Sequence, residues 1–124
     1  MTNLMILFIA LTFFHSQEQE MNKSNQPYTH GLWIVKAGNE KAFIEEWSKF
    51  AKWTSNNHPG AGNGHLLQDS DNPQLFISFG PWKDAESIKT WREDPEFKKF
   101  VAKAKELCDS FQPRSLRIVA SSTD

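Results

Sequence analysis

The stretch HPGAGNGHLLQDSDNPQLFISFGPWKDAESIKTW, from His58 to Trp91, decides the fold. His58-Pro59-Gly60 ends one element and turns the chain. His65 to Asp69 then reads as a strand, and Gln74 to Phe79 as a second, aromatic strand, because both are short runs bounded by turn residues. Ser70-Asp71-Asn72-Pro73 is a tight polar connection between them. Asp84 to Arg92 predicts a short helix. In the second strand Leu75, Ile77 and Phe79 point one way, and Phe76, Ser78, Gly80 and Trp82 the other. Both faces carry apolar bulk, so both need cover. The helices of so short a chain cover one face, and a second copy of the chain is the natural cover for the other. A homodimer is therefore expected.

Working outward, His30 to Lys36 mixes β-branched and aromatic residues and predicts an earlier strand. Gly38-Asn39 punctuates, and Asn39 is placed to cap a helix running to about Asn56. In that helix Phe43, Trp47, Phe50 and Thr54 fall at i, i+4, i+7 and i+11, with Ile44 and Ala51 widening the stripe. Glu45, Ser48, Lys49 and Lys52 take the other side. Downstream, Asp94-Pro95 reads as an N-cap followed by a first-turn proline. The helix it opens carries a core stripe of Phe97, Phe100, Val101, Ala104, Leu107 and Cys108. Pro113 precedes a last strand, Ser115 to Ala120. The order βαββααβ is an α+β, ferredoxin-like arrangement with an antiparallel sheet and a divided second helix. The globular domain is expected over 28–120, with loose ends.

The chain has 124 residues, room for one domain with a genuine core. Its net charge of −1 leaves no basic footprint for nucleic acid. Five Trp and ten Phe are a heavy aromatic load, whose usual work is packing or an interface. Cys108 stands alone, so there is no internal disulfide and no cysteine metal site. Residues 1–27 stand apart. Leu4 to Phe14 is apolar but too short to span a bilayer comfortably, so no stable membrane span is expected. It lacks the basic flank and cleavage pattern of an export signal. The expectation is translation from Met21 and a cytoplasmic protein; the alternative is an atypical export signal cleaved near His15 to Gln17.

No dinucleotide, phosphate-loop or zinc-protease motif occurs. His15, His30, His58 and His65 show no ligand spacing, and no metal site is expected. Glu45-Glu46 reads as a solvated face.

The spacing of Pro59-Gly60, Leu66-Leu67-Gln68-Asp69, Asn72-Pro73, Phe76, Phe79 and Trp82 resembles the centre of the antibiotic biosynthesis monooxygenase family. That family consists of small proteins of the dimeric α+β barrel superfamily. The resemblance runs from about His30 to Val119. One branch degrades haem, and Trp82, Trp91 and Phe97 match its aromatic spacing. The position of that branch's haem-ligating histidine is Val101, however, and that of its strand-one asparagine is Gly31, beside His30. A haem enzyme needs its proximal ligand, so the resemblance argues against haem. The other branch consists of cofactor-independent monooxygenases acting on phenols, hydroquinones and aromatic polyketides, with O2 as co-substrate. In that chemistry the substrate anion passes an electron to O2, and the protein supplies a dry pocket, orientation and a proton acceptor.

The resemblance then implies a pocket at Trp82, with Trp53, Phe79 and Trp91 as further substrate-binding candidates. His65 is the candidate base, since imidazole titrates near neutrality, and Arg92 the candidate oxyanion holder. Each has a plainer role open to it. Trp82 and Trp91 fit a core or interface as well. Trp53 flanks its helix stripe, at a cleft or a dimer seam, whereas Trp47 belongs to the core. Arg92 also suits the C-terminal dipole of a short helix, and His65 a surface strand end. The glycines of Ala61-Gly62-Asn63-Gly64 either open space for a ligand or loosen the strand. The functional expectation is a cofactor-independent monooxygenase of an aromatic small molecule. The alternative is a non-catalytic dimeric binding or stress-related module of the same fold.

Overall fold

The structure, a computed structural model, describes residues 25–123. The apolar run Leu4 to Phe14, the start at Met21 and the cleavage near His15 to Gln17 lie outside the described residues. The described residues divide into a unit of Pro27–Leu116 and a second unit that includes 25–26 and 117–123. In the second unit the Ile118 amide donates to the Gln26 carbonyl (3.2 Å). No helix among the described residues is long and apolar enough to cross a membrane.

The elements are β1 (Pro27–Val35), α1 (Glu40–Asn57), β2 (His65–Gln68), β3 (Leu75–Pro81), α2 (Ala85–Glu93), α3 (Pro95–Leu107) and β4 (Cys108–Arg117). The strands form one antiparallel sheet in the order β2-β3-β1-β4. With three helices against it, this is the ferredoxin-like α+β fold expected from the element order. The register pairs Trp33 with Phe76 and Gly31 with Ser78 on the helix side, and His30 with Phe79 and Leu32 with Ile77 on the opposite side. On β2, His65 pairs with Phe79 and Leu67 with Ile77, which sets both on that opposite side.

The local chemistry accounts for the connections. Asp69 Oδ1 accepts from the amides of Asp71 and Asn72 (both 2.8 Å), and Asn72 Oδ1 from Gln74 (3.2 Å), so the β2–β3 turn carries its own hydrogen bonds. Asp84 caps α2 by accepting from the Ser87 amide (2.8 Å), and the hydrogen bonds from the Ser87 side chain and backbone hold its carboxyl below the ordinary value. Asp94 caps α3 ahead of Pro95, accepting from the Glu96 amide (2.9 Å).

Two local expectations differ from the structure. Asn39 stands at the N-cap of α1 but makes no side-chain cap; Glu40 instead accepts from the Gly38 amide (2.9 Å). The last strand begins at Cys108, not Ser115, and runs through Pro113. It is an edge strand, and an edge tolerates a residue without an N–H.

The core lies between the sheet and the helices, around Val35, Phe43 and Phe76, all fully buried. Trp33 is its keystone. Its ring stacks on Phe111 (centroids 3.7 Å apart, 12° between planes) and meets Phe43 at 5.0 Å and Phe100 at 6.0 Å. Burying each of these aromatic side chains contributes about 2–3 kcal/mol. The opposite face, with Leu32, Ile34, Leu75 and Ile77 only half-buried and Leu67 exposed, is left uncovered by the helices among the described residues.

Candidate functional site

The segment after α1 fixes the end of β3. The Gly62 amide donates to the Pro81 carbonyl (2.8 Å), the Lys83 amide to Gly60 (2.8 Å) and the Trp82 amide to Pro27 (2.9 Å). These bonds hold the buried Trp82 at the sheet edge, where its ring meets Trp91 of α2 at 4.9 Å. Trp91 in turn meets Phe97 edge-on at 4.5 Å, and Phe50 lies flat on Phe100 at 4.0 Å. Between this aromatic wall and the sheet is a cavity of about 380 Å³, bordered by Trp33, Trp47, Phe50, Trp82, Trp91 and Phe100 among others. The volume falls in the range of small-molecule sites, and the lining is mainly apolar with a few polar groups, as such sites are.

Those polar groups follow one design. The Trp33 indole donates to Ser78 Oγ, the Trp82 indole to Thr29 Oγ1 and the Trp91 indole to Thr54 Oγ1, each at 3.0 Å. All six residues border the cavity. Arg92 borders it too, its guanidinium held by Ser115 Oγ (2.8 Å) and the Arg114 carbonyl (3.4 Å). No carboxylate among the described residues pairs with Arg92. Burial lowers its pKa, the expected response of a cation removed from water without a counter-charge. Neither Asp nor Glu among the described residues borders the cavity. The charged side chains that border it, Lys52 and Arg92, are both cations.

Of the residues singled out from sequence, Trp82, Trp91 and Arg92 come together here. Phe79 borders the cavity, but its ring lies beside that of His65 (5.6 Å) on the other side of the sheet. His65 is exposed and opens onto a different hollow with Leu66 and Gln68, so the expected base is not brought to Trp82. Its pairing with Phe79 turns it away. Trp53 does not border the cavity; it stacks behind Phe50 at 5.6 Å and meets the His58 ring at 5.1 Å. His58 Nε2 lies 3.0 Å from Asp94 Oδ2, which ties the end of α1 to the start of α3. Trp47, expected in the core, is half-buried and forms cavity wall.

The glycine question resolves residue by residue. A Cβ on Gly62 would meet Pro81 Cγ at 2.7 Å, so close approach to β3 requires that glycine. A Cβ on Gly64, which borders the cavity, would make only ordinary contacts, with the Phe79 carbonyl oxygen at 3.7 Å and Trp47 at 3.9 Å, so packing does not require that glycine.

Sequence reasoning missed Thr29, Thr54 and Ser78. One signal was present: Thr54 is the single polar member of the α1 stripe, and Ser78 sits on the bulky face of β3. His30 was given no role from sequence. It borders the cavity, its Nδ1 is buried without a hydrogen-bond partner among the described residues, and its pairing with Phe79 sets it on the opposite face.

The residues present do not fit haem. Val101 lines the wall where the haem branch carries its ligand, and offers none. At Gly31 a Cβ would meet Ser78 Oγ at 2.7 Å and Trp33 Nε1 at 2.8 Å, so the Trp33–Ser78 hydrogen bond already fills the place of the asparagine. No group of three or more His, Cys, Asp or Glu among the described residues is placed to hold a metal ion.

The antibiotic biosynthesis monooxygenase family profile matches residues 30–103. The chain belongs to the antibiotic biosynthesis monooxygenase family. Among solved structures it is similar to SnoaB, a cofactor-independent oxygenase from Streptomyces nogalater, at 14% identity and a TM-score of 0.73, covering 81% of this chain and 99% of that one. It is also similar to PA3566 from Pseudomonas aeruginosa, at 18% identity and a TM-score of 0.67, covering 79% and 98%. A third likeness is to SO0527 from Shewanella oneidensis, at 16% identity and a TM-score of 0.68, covering 76% and 91%. At such identities the likeness is one of fold. No curated protein matches the chain.

Proposed function

We propose that this family member is a cofactor-independent monooxygenase of an electron-rich phenolic, hydroquinone or polyketide-like aromatic, with O2 as co-substrate. The observation that carries the reading is the aromatic cavity bordered by hydroxyls able to donate and by Arg92, which no carboxylate among the described residues pairs. Such a site stabilises a bound phenolate over the neutral phenol, because each donor and the guanidinium favour the anion. Trp82 and Trp91 hold the ring plane, and their bulk keeps water from the reacting carbon. The anion gives one electron to O2, and the resulting radicals combine at the activated carbon. At a methylene carbon the hydroperoxide so formed loses water and leaves a carbonyl. One oxygen atom of O2 ends in the product and the other in water. With no imidazole or carboxylate side chain among the described residues turned into the cavity, the phenolic proton passes to solvent, and Arg92 substitutes for a base by lowering the substrate's pKa.

The half-buried apolar face of Leu32, Ile34, Leu75 and Ile77, widened by the exposed Leu67, supports a homodimer in which a second copy covers the sheet. The non-catalytic binding module shares the cavity, and turnover separates it from the enzyme. The test is oxygen uptake by the full chain against hydroquinones and anthrones, with Trp82→Phe and Arg92→Gln alongside. Uptake above the autoxidation rate, reduced about tenfold or more in Arg92→Gln, is expected. Autoxidation-level uptake with every compound, despite measurable binding of the same compounds, overturns the enzyme in favour of the module.

A further inference from the structure

Three indole-to-hydroxyl hydrogen bonds of the same length around one cavity leave three hydroxyl protons to be placed. A hydroxyl carries one donor and two acceptor sites. In Thr29, Thr54 and Ser78 the indole N–H occupies an acceptor site, so the hydroxyl cannot use that direction to donate. None of the three has an acceptor for its own proton among the described residues. Thr54 is the telling case, because a helical hydroxyl commonly donates to the carbonyl four residues back. Ser48 in the same helix does so, to Ile44 at 2.7 Å, while Thr54 makes no such bond. Ser78 faces a glycine instead: it pairs with Gly31, where a side chain would bring its Cβ to 2.7 Å from Oγ.

We infer that Thr29, Thr54 and Ser78 are the ligand-orienting residues of the cavity, each fixed by an indole and donating its proton to an acceptor oxygen on a planar aromatic ligand. The inference rests on the cavity being the ligand site. It specifies what the cavity reads: a ring system with two or three carbonyl or oxyanion oxygens around its edge, a quinone or a keto-phenolate. A hydrocarbon of equal shape fills the same aromatic walls and leaves the three protons without partners. The arrangement also explains why the indoles themselves are unsuited to recognition, since all three N–H groups are already used. Thr29 is on β1, Ser78 on β3 and Thr54 on α1, so the donors come from three rigid elements.

Equilibrium dialysis of the full chain with 2-methyl-1,4-naphthoquinone and with 2-methylnaphthalene tests this. The quinone is expected to bind at least tenfold more tightly. Thr29→Val, Thr54→Val and Ser78→Ala should each shrink that ratio about two- to tenfold, the worth of one hydrogen bond, with hydrocarbon binding unchanged. Thr29→Ser, Thr54→Ser and Ser78→Thr should restore it, which a packing role would not do. A ratio near one in the unaltered protein, or variants that weaken both compounds equally, overturns the inference and leaves the cavity as a ligand site. Binding of neither compound overturns the cavity reading and the inference together.

Discussion

Gly31→Ala should destabilise the protein far more than a one-carbon change at an exposed strand position. The added Cβ would sit 2.7 Å from Ser78 Oγ, 2.8 Å from Trp33 Nε1 and 3.0 Å from Phe111 Cε1. Ser78 Oγ can rotate away. Trp33 cannot, because it is 3% exposed and stacked on Phe111 at 3.7 Å between Phe43 and Phe100. Overpacking a fixed cluster costs about 1–3 kcal/mol. Displacing Ser78 adds about 1 kcal/mol for the lost Trp33–Ser78 hydrogen bond. The sum, about 2–4 kcal/mol, lowers the urea midpoint by roughly 1–4 M for a slope of about 1–2 kcal/mol/M. Tryptophan fluorescence follows the transition. Removing the colliding oxygen supplies the control: Gly31→Ala with Ser78→Gly should be less destabilised than the two single changes together by about 1 kcal/mol, since the sites touch. A cost below about 0.5 kcal/mol for Gly31→Ala, or strict additivity of the pair, refutes the reasoning.

Asp94 caps α3 with one oxygen and holds His58 with the other, so Asp94→Ala should cost about 1–2 kcal/mol in urea unfolding; Asp94→Asn, which keeps a cap acceptor, should cost less. Burial, with a smaller contribution from Asp109, raises the Cys108 thiol from its ordinary 9.0 to about 11. The thiol's contribution to stability is therefore complete below about pH 9 and lost as pH rises towards about 11, because the unfolded chain gives up its proton first; Cys108→Ala should flatten that part of the stability–pH curve. A thiol reagent at pH 8 should label Cys108 only on unfolding, and rapid labelling of the native protein would contradict its burial. Turnover by His65→Ala should stay within about twofold of the unaltered protein, and a tenfold loss would mean that a base acts from the opposite face of the sheet.

The fold was legible because its signals are local and repeated. The β2–β3 turn advertises itself in Asp69, Asn72 and Pro73, and Asp84 and Asp94-Pro95 mark two helix starts that the structure keeps. Helical periodicity told which side of α1 and α3 faces inward, but an inward side can meet either core or cavity. Trp47 and Val101, read as core, pack against the core cluster and also form cavity wall. The extent of β4 was hidden by Pro113, whose tolerance depends on the strand lying at the sheet edge. His65 was assigned to the site through residue type alone; the register that places it beside Phe79 is a pairing between strands, which neither strand's own pattern specifies. The hydroxyls of Thr29, Thr54 and Ser78 gain meaning only through their indole partners, 37 to 53 residues away in the chain.

The most direct test of the central claim is mass spectrometry of the product formed under heavy-isotope O2 from whichever hydroquinone or anthrone supports oxygen uptake. One labelled oxygen per product molecule, with none acquired from labelled water under ordinary O2, is the result a monooxygenase in this cavity requires. Product carrying no label from O2 would contradict it, and would mean that O2 serves only as an electron acceptor or takes no part.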